Sequence, residues 1–319
     1  MTTVALNETH QNMPISSSPS RRPTVIAVAN AKGGVGKTSL VANAAGIATL
    51  AGWRVLAIDL DPQGNLATDL GYQQRSDGGR GLATTLRRGG VPQALTDVRS
   101  RLDVWPGGPS LQAGLHQSLI PEVDHPLSAA IEAGSGRYDL VFIDCPPTLG
   151  PLVDAGLIAA DWLLIPVRAD HASLHGLDMM LERYEQVRSS ANSRLQLLGV
   201  ALFDVSPQST AIIAEIAQAV REKVGDGAPL LRPPIRRSER SAFDMRRMGL
   251  LAHEYEERSA DSALVPLADR IAAARRGEST ARYSSAAAGL SGDYFELVKE
   301  ILTIVNSAAH AANATDRAS

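Results

Sequence analysis

The run Ala31-Lys32-Gly33-Gly34-Val35-Gly36-Lys37-Thr38-Ser39 constrains this chain more than any other stretch. An apolar segment, Val25 to Ala29, precedes it and reads as a buried parallel strand. Leu40 to Leu50 follows, apolar and alanine-rich enough for a packed helix. Strand, glycine loop and helix in that order make a phosphate cradle. The glycines let the backbone turn tightly and aim successive N–H groups inward. The helix start adds unpaired donors and the positive end of its dipole. At this spacing Lys37 reaches the β- and γ-phosphates of a nucleotide, and the Thr38 hydroxyl ligates Mg²⁺. The strict pattern asks for glycine where Ala31 stands. The sequence offers instead a second lysine, Lys32, at the mouth of the loop.

Two further acidic segments have the placement such a loop requires. Trp53 to Asp59 reads as the next strand and delivers Asp59-Leu60-Asp61-Pro62-Gln63-Gly64-Asn65. Carboxylates at i and i+2 on a strand end point the same way, a geometry that suits metal and water handling beside a triphosphate. Asp-Pro also starts helices, so a capped turn is the alternative reading. Tyr138 to Asp144 is a buried strand ending in Asp144-Cys145-Pro146-Pro147. A phosphate-loop enzyme holds its metal through such an aspartate, and the two prolines stiffen the exit.

The loop Lys-Gly-Gly-Val-Gly-Lys-Thr with these two switch-like segments resembles the deviant phosphate loop of the partition and division-site ATPases, the ParA/Soj and MinD family. The resemblance covers roughly Pro23 to Ala274. It implies a slow, Mg²⁺-dependent ATPase whose nucleotide contacts run over Lys32, Gly33, Gly34, Val35, Gly36, Lys37, Thr38 and Ser39. Lys32 is then expected to reach across a dimer interface to the partner's ATP. Asp61 is expected to handle the attacking water, with Asp59 and Asp144 serving the metal beside Thr38. The strand Leu195 to Phe203 leads to Asp204, near where the family contacts adenine. The segment around Pro234, after Leu230-Leu231, resembles the one that closes over the base.

Composition narrows the remaining choices. The 319 residues are 44% hydrophobic but only 4% aromatic, so the core is aliphatic and alanine-rich. A formal charge of −3 gives no global field toward nucleic acid, so a DNA contact needs a local patch. Arg232, Arg236, Arg237, Arg240, Arg246 and Arg247 supply one, opposed within that stretch by Glu239 and Asp244. A solvated basic loop pairing with Glu254, Glu256 and Glu257 is the plainer alternative. The single cysteine, Cys145, excludes a disulfide framework and a cysteine-rich metal site and reads as packing. His171 and His175 stand at i and i+4 without a third ligand in view and read as surface residues.

The expected organisation has four parts. Residues 1–22 form a disordered arm without the apolar middle of a signal peptide. Residues 23–274 form the ATPase domain, a doubly wound α/β fold with a mostly parallel sheet, closed by a helix from Ala260 to Ala274. Residues 275–292 are a linker, and 293–319 an extra C-terminal helix and tail. That helix carries Asp293, Glu296 and Glu300 against Lys299. Its net negative charge is wrong for anionic lipid, so packing on the body or a partner is expected rather than membrane binding. The function expected from the resemblance is ATP-dependent partition of plasmid or chromosomal DNA. An ATP-sandwich homodimer binds DNA without regard to sequence, in the cytoplasm on the nucleoid, and a ParB-type centromere-binding partner stimulates its release. The alternatives are a cargo-positioning ATPase and a membrane-positioned one of MinD type. A bacterial tyrosine kinase, which shares the loop, lacks its usual tyrosine cluster and membrane spans here.

Overall fold

Short runs of valine, isoleucine and leucine alternate along the chain with alanine-rich segments, and that alternation builds a parallel sheet with helical crossovers. The computed structural model describes residues 22–116, 124–134, 136–206, 210–224, 229–264 and 287–316. In chain order these form β1 (Thr24–Val28), α1 (Lys37–Leu50), β2 (Val55–Asp59), α2 (Leu66–Asp69), a 3₁₀ turn at Gln73–Arg75, α3 (Arg80–Arg88), β3 (Leu95–Arg99) and β4 (Leu102–Trp105). Then come α4 (Pro109–His116), α5 (Pro126–Ala133), β5 (Leu140–Asp144), α6 (Pro151–Ala159), β6 (Trp162–Arg168), α7 (His171–Ser190), β7 (Gln196–Phe203) and α8 (Thr210–Val224). The last are β8 (Leu230–Leu231), α9 (Glu239–Met248), α10 (Ala252–Leu264) and α11 (Ala287–Asp316).

The sheet has eight strands in the order β3-β4-β2-β5-β1-β6-β7-β8. Every neighbouring pair is parallel except β3 with β4. Residues of β1, β2 and β5 are buried almost without break, as strands covered on both faces must be. The edge strand β3 is the exception: only two of its five residues, Leu95 and Val98, are aliphatic and partly buried. The sequence reading passed over it, along with α5, α6 and α9, because short, polar or proline-started segments carry little periodicity.

One apolar layer joins α1, α10 and α11 to one face of the sheet, with Ile26, Leu40, Phe142, Leu251, Tyr255, Leu297, Val298 and Ile301 buried together. The other layer lies under α5, α6, α7 and α8, around Val25, Ile58, Ile143, Leu157, Leu177 and Val220. Between the sheet and α11, α1 is buried on nearly every side, which explains its alanine content.

The C-terminal region differs from the expected division. Residues 287–292, read as linker, are the first turns of α11. Tertiary packing overrides their Gly and Ser content: Leu290 is 4% exposed in the shared core. The helix after it is therefore no separate unit. Its Tyr294, Leu297, Val298, Ile301, Leu302 and Val305 complete the layer over α1. Of the closing helix expected at 260–274, residues 260–264 belong to α10 and the rest lie outside the described residues, as does 275–286. The arm at 1–21 also lies outside them. Arg22 is pinned to Asp161 at 2.5 Å and to the carbonyl of Ala159 at 3.2 Å.

Candidate functional site

Strand register assembles the site. Parallel pairing sets Val28, the end of β1, beside Asp144 of β5, and Asp144 beside Asp59 of β2. The glycine loop and the two acidic segments therefore leave the same carboxyl edge of three adjacent central strands, where open α/β sheets bind ligands. Two backbone bonds lock the exits: Leu60 N–H to the Asp144 carbonyl at 2.9 Å, and Cys145 N–H to the Val28 carbonyl at 3.1 Å.

The loop turns into α1 through Gly36, the residue before the helix, in a left-handed conformation with φ 88°. A Cβ there would also lie 2.4 Å from the Phe203 ring, so glycine is required twice over. Gly33 and Gly34 are exposed at the mouth, while Val35 is buried. Lys37, buried within the site, donates to the carbonyls of Lys32 (2.8 Å) and Asn30 (3.3 Å). Burial lowers its pKa, an effect that Asp144 foremost and also Asp61 oppose.

Asp144 is wholly buried, and neither carboxylate oxygen has a hydrogen-bond partner of ordinary geometry. Burial pushes its pKa up to about 7, against the pull of the Thr38 hydroxyl and the Lys37 ammonium. Leaving such a group unpaired is costly unless a cation completes it. Among the described residues no cluster of three His, Cys, Asp or Glu side chains forms a metal cage. The donor set of one hydroxyl and a nearby carboxylate fits Mg²⁺, which keeps waters and takes its other ligands from phosphate.

The other two aspartates are placed differently. Asp59 accepts from the backbone N–H of Asp61 (2.9 Å) and of Leu66 (3.3 Å), so it shapes the turn and the start of α2. Burial first, and the charge of Asp144 second, raise its pKa well above the usual range. The capped-turn reading is met at Asp59. Asp61 accepts from Gln63 N–H at 2.9 Å and lines a cavity of about 310 Å³ between the two switch segments, with Pro62, Pro146, Pro147 and Thr148. Cys145 is fully buried, its sulfur close against Gly156, and burial raises its pKa, as a packing thiol requires.

A second cavity, about 170 Å³, lies beside the start of α1 and is lined by Ser39, Phe203, Asp204, Ile235, Arg236 and Tyr294 among others. Asp204, which the resemblance sets near the base, is on its wall. Pro234 is not on its wall; its neighbours Ile235 and Arg236 are. Asp204, in a left-handed conformation with φ 59°, is engaged by Arg168 and by Arg237 Nε at 3.1 Å. Phe203 and Tyr294, which meet edge to face with centroids 5.9 Å apart, were missed by the sequence reading. An aromatic at a strand end gives only a weak signal, and Tyr294 is distant in sequence.

The arginines prove less free than their spacing suggests. Arg236 makes a two-pronged pair with Asp293 of α11 (2.6 and 2.7 Å), and Arg237 pairs with Asp204. Arg240 and Arg247 share Asp244 at 3.4 and 3.6 Å, and Arg246 meets Asp69 at 2.9 Å. Arg232 is exposed and held by its backbone N–H to Glu300 at 2.6 Å. The partners Asp244, Asp69 and Asp293 are nearly buried, whereas the guanidinium-bearing chains of Arg240 and Arg247 stay 68% and 59% exposed.

A deviant glycine loop at the centre of a parallel sheet, flanked by two aspartate-ended strands, defines a P-loop nucleoside triphosphatase. A protein-family model described as an AAA domain matches residues 23–197. The chromosome partitioning protein ParA of Caulobacter vibrioides is 36% identical over 219 residues, covering 66% of this chain and 79% of that protein. The sporulation initiation inhibitor protein Soj of Bacillus subtilis is 32% identical over 220 residues, covering 63% and 81%. Among solved structures, cobyrinic acid a,c-diamide synthase from Mycobacterium smegmatis, with bound ATP analog and magnesium, is 28% identical with a TM-score of 0.57, covering 71% of this chain and 92% of that one. This chain belongs to the ParA/Soj family of partitioning ATPases.

Proposed function

We propose that this ATPase moves DNA by an ATP-gated cycle of pairing and release. Two copies close face to face on two ATP molecules, and Lys32 of each touches the phosphates held by the other. Lys37 and the loop N–H groups hold the triphosphate and Asp61 orients and deprotonates the attacking water; Thr38, with Asp59 and Asp144 behind it, would hold Mg²⁺. Bound Mg²⁺ supplies charge neutralisation at the phosphates. The paired state binds DNA without sequence preference through the exposed heads of Arg240 and Arg247, with Arg232, Arg237 and Arg246 around them. Hydrolysis, accelerated by a ParB-type partner, removes the charge between the lysines and frees both copies from the nucleoid.

The observation that carries this reading is two lysines, Lys32 and Lys37, on one glycine loop, beside the buried Asp144 at the end of the adjacent strand. The membrane-positioned alternative loses its support, because the apolar face of α11 is spent on α1. Among the described residues no helix is long and apolar enough to cross a membrane. The test is retention of the purified protein on mixed-sequence duplex DNA with ATP, with ADP and without nucleotide. Retention with ATP alone supports the reading; equal retention in all three overturns the gating.

A further inference from the structure

The residue expected to act on the partner's nucleotide is held at home. Lys32 Nζ donates to Asp170 Oδ1 at 2.7 Å and to Ser173 Oγ at 3.1 Å. Asp170 ends the turn after β6 and caps α7, its Oδ1 also accepting from Ser173 N–H at 2.7 Å. Ser173 is fully buried, so its hydroxyl is a fixed acceptor. The loop beneath is tied to the same place: Lys32 N–H donates to Asn30 Oδ1 (2.9 Å), and Asn30 Nδ2 donates to the Pro166 carbonyl of β6 (2.7 Å). Gly176 makes the approach possible, since a Cβ there would stand 2.7 Å from Asn30 Oδ1 and 3.2 Å from Lys32 Cβ. The start of α7 is thus built to receive this lysine.

We infer that Asp170 and Ser173 are positioning residues that hold Lys32 over its own loop in the single copy, so that pairing on ATP must first release it. The inference rests on the trans role of Lys32 proposed above. Both lysines must leave their seats, so the cost counts twice. Half-exposed ion pairs of this kind hold by about three- to fivefold each, which makes the dimer constant about ten- to twenty-five-fold weaker. The device keeps unpaired copies from closing at low ATP occupancy, and nothing in it touches nucleotide binding by one copy.

The test measures the ATP- and Mg²⁺-dependent dimer constant of the full chain by sedimentation, in an Asp61→Ala background that prevents turnover. Asp170→Asn removes the charge yet keeps a good helix cap. Ser173→Ala removes the second acceptor and leaves the cap intact. Asp170→Asn is expected to dimerise about tenfold more tightly and Ser173→Ala about threefold, with ATP affinity of the single copy unchanged. Asp170→Glu, which keeps the charge facing Lys32 but is a poorer helix cap, is expected to retain the parent's dimer constant, whereas a purely structural effect on α7 would make it behave like Asp170→Asn or worse. If Lys32→Ala impairs pairing while neither variant tightens it, the trans role stands and the restraint is refuted. If Lys32→Ala pairs like the parent, the trans role is wrong and the inference falls with it.

Discussion

At the scale of single residues, the site divides labour among three aspartates that look alike in sequence. Asp59 is bound up with its own backbone, Asp61 faces a cavity, and Asp144 is fully buried beside the Thr38 hydroxyl and the Lys37 ammonium. Only the third dimension separates them, since all three follow apolar strands. Asp61→Ala is therefore expected to bind ATP normally and hydrolyse it about 10²–10⁴-fold more slowly, measured by phosphate release. Parent-level hydrolysis in that variant would remove Asp61 from the chemistry. Asp144→Asn is expected to keep Mg²⁺-free nucleotide binding but lose the gain from added Mg²⁺, read by titration calorimetry. That Lys32, Lys37, Thr38 and the glycines share one loop at the start of α1 was legible from their spacing. That Phe203 and Tyr294 share a cavity wall was not, because a cavity is made by residues whose only relation is spatial.

At the scale of elements, α11 is the part whose sequence said what it was but not where it went. Its apolar stripe was visible, yet any apolar surface satisfies a stripe. Its carboxylates show the choice: Asp293 meets Arg236, and Glu300 meets the backbone of Arg232. Leu297→Ala is expected to cost about 2–5 kcal/mol in denaturant unfolding. Leu50→Ala, at a position 54% exposed on α1, is expected to stay within about 0.5 kcal/mol of the parent. The edge strand β3 is fastened by Arg99, which grips Glu254 at the start of α10 at 2.5 and 2.9 Å. Burial raises the Glu254 pKa, but the hydrogen bonds from Arg99 and Leu251 outweigh it and hold the carboxyl below the usual 4.5. A depressed acid stabilises the fold above its unfolded pKa, and that contribution is lost as pH falls through the folded value. Glu254→Gln should be less stable than the parent by about 1–3 kcal/mol at neutral pH, and the gap should close below about pH 4. A gap independent of pH would mean the pair contributes packing only.

At the scale of the whole molecule, the mostly parallel α/β class, the loop after the first strand and the acidic strand ends followed from pattern. The basic patch did not, because spacing along a chain counts charges and not their partners. Four arginines turn out to be anchored on nearly buried carboxylates, and reversing Arg236 would cut α11 loose rather than report on DNA. Arg240→Gln with Arg247→Gln is the cleaner probe, because both heads are exposed and glutamine can still donate to the nearly buried Asp244. It is expected to lower the melting transition modestly, weaken ATP-dependent retention on DNA measured well below that transition, and flatten the dependence of binding on salt. Retention equal to the parent at low salt would retire this surface.

All of these consequences depend on ATP joining two copies of the chain. The most direct measurement is the mass in solution of the Asp61→Ala protein at saturating ATP and Mg²⁺, by light scattering coupled to size exclusion. The account predicts about twice the 33.7 kDa of one chain with ATP, and a single chain with ADP or after Lys32→Ala. A single-chain mass with ATP bound would contradict it.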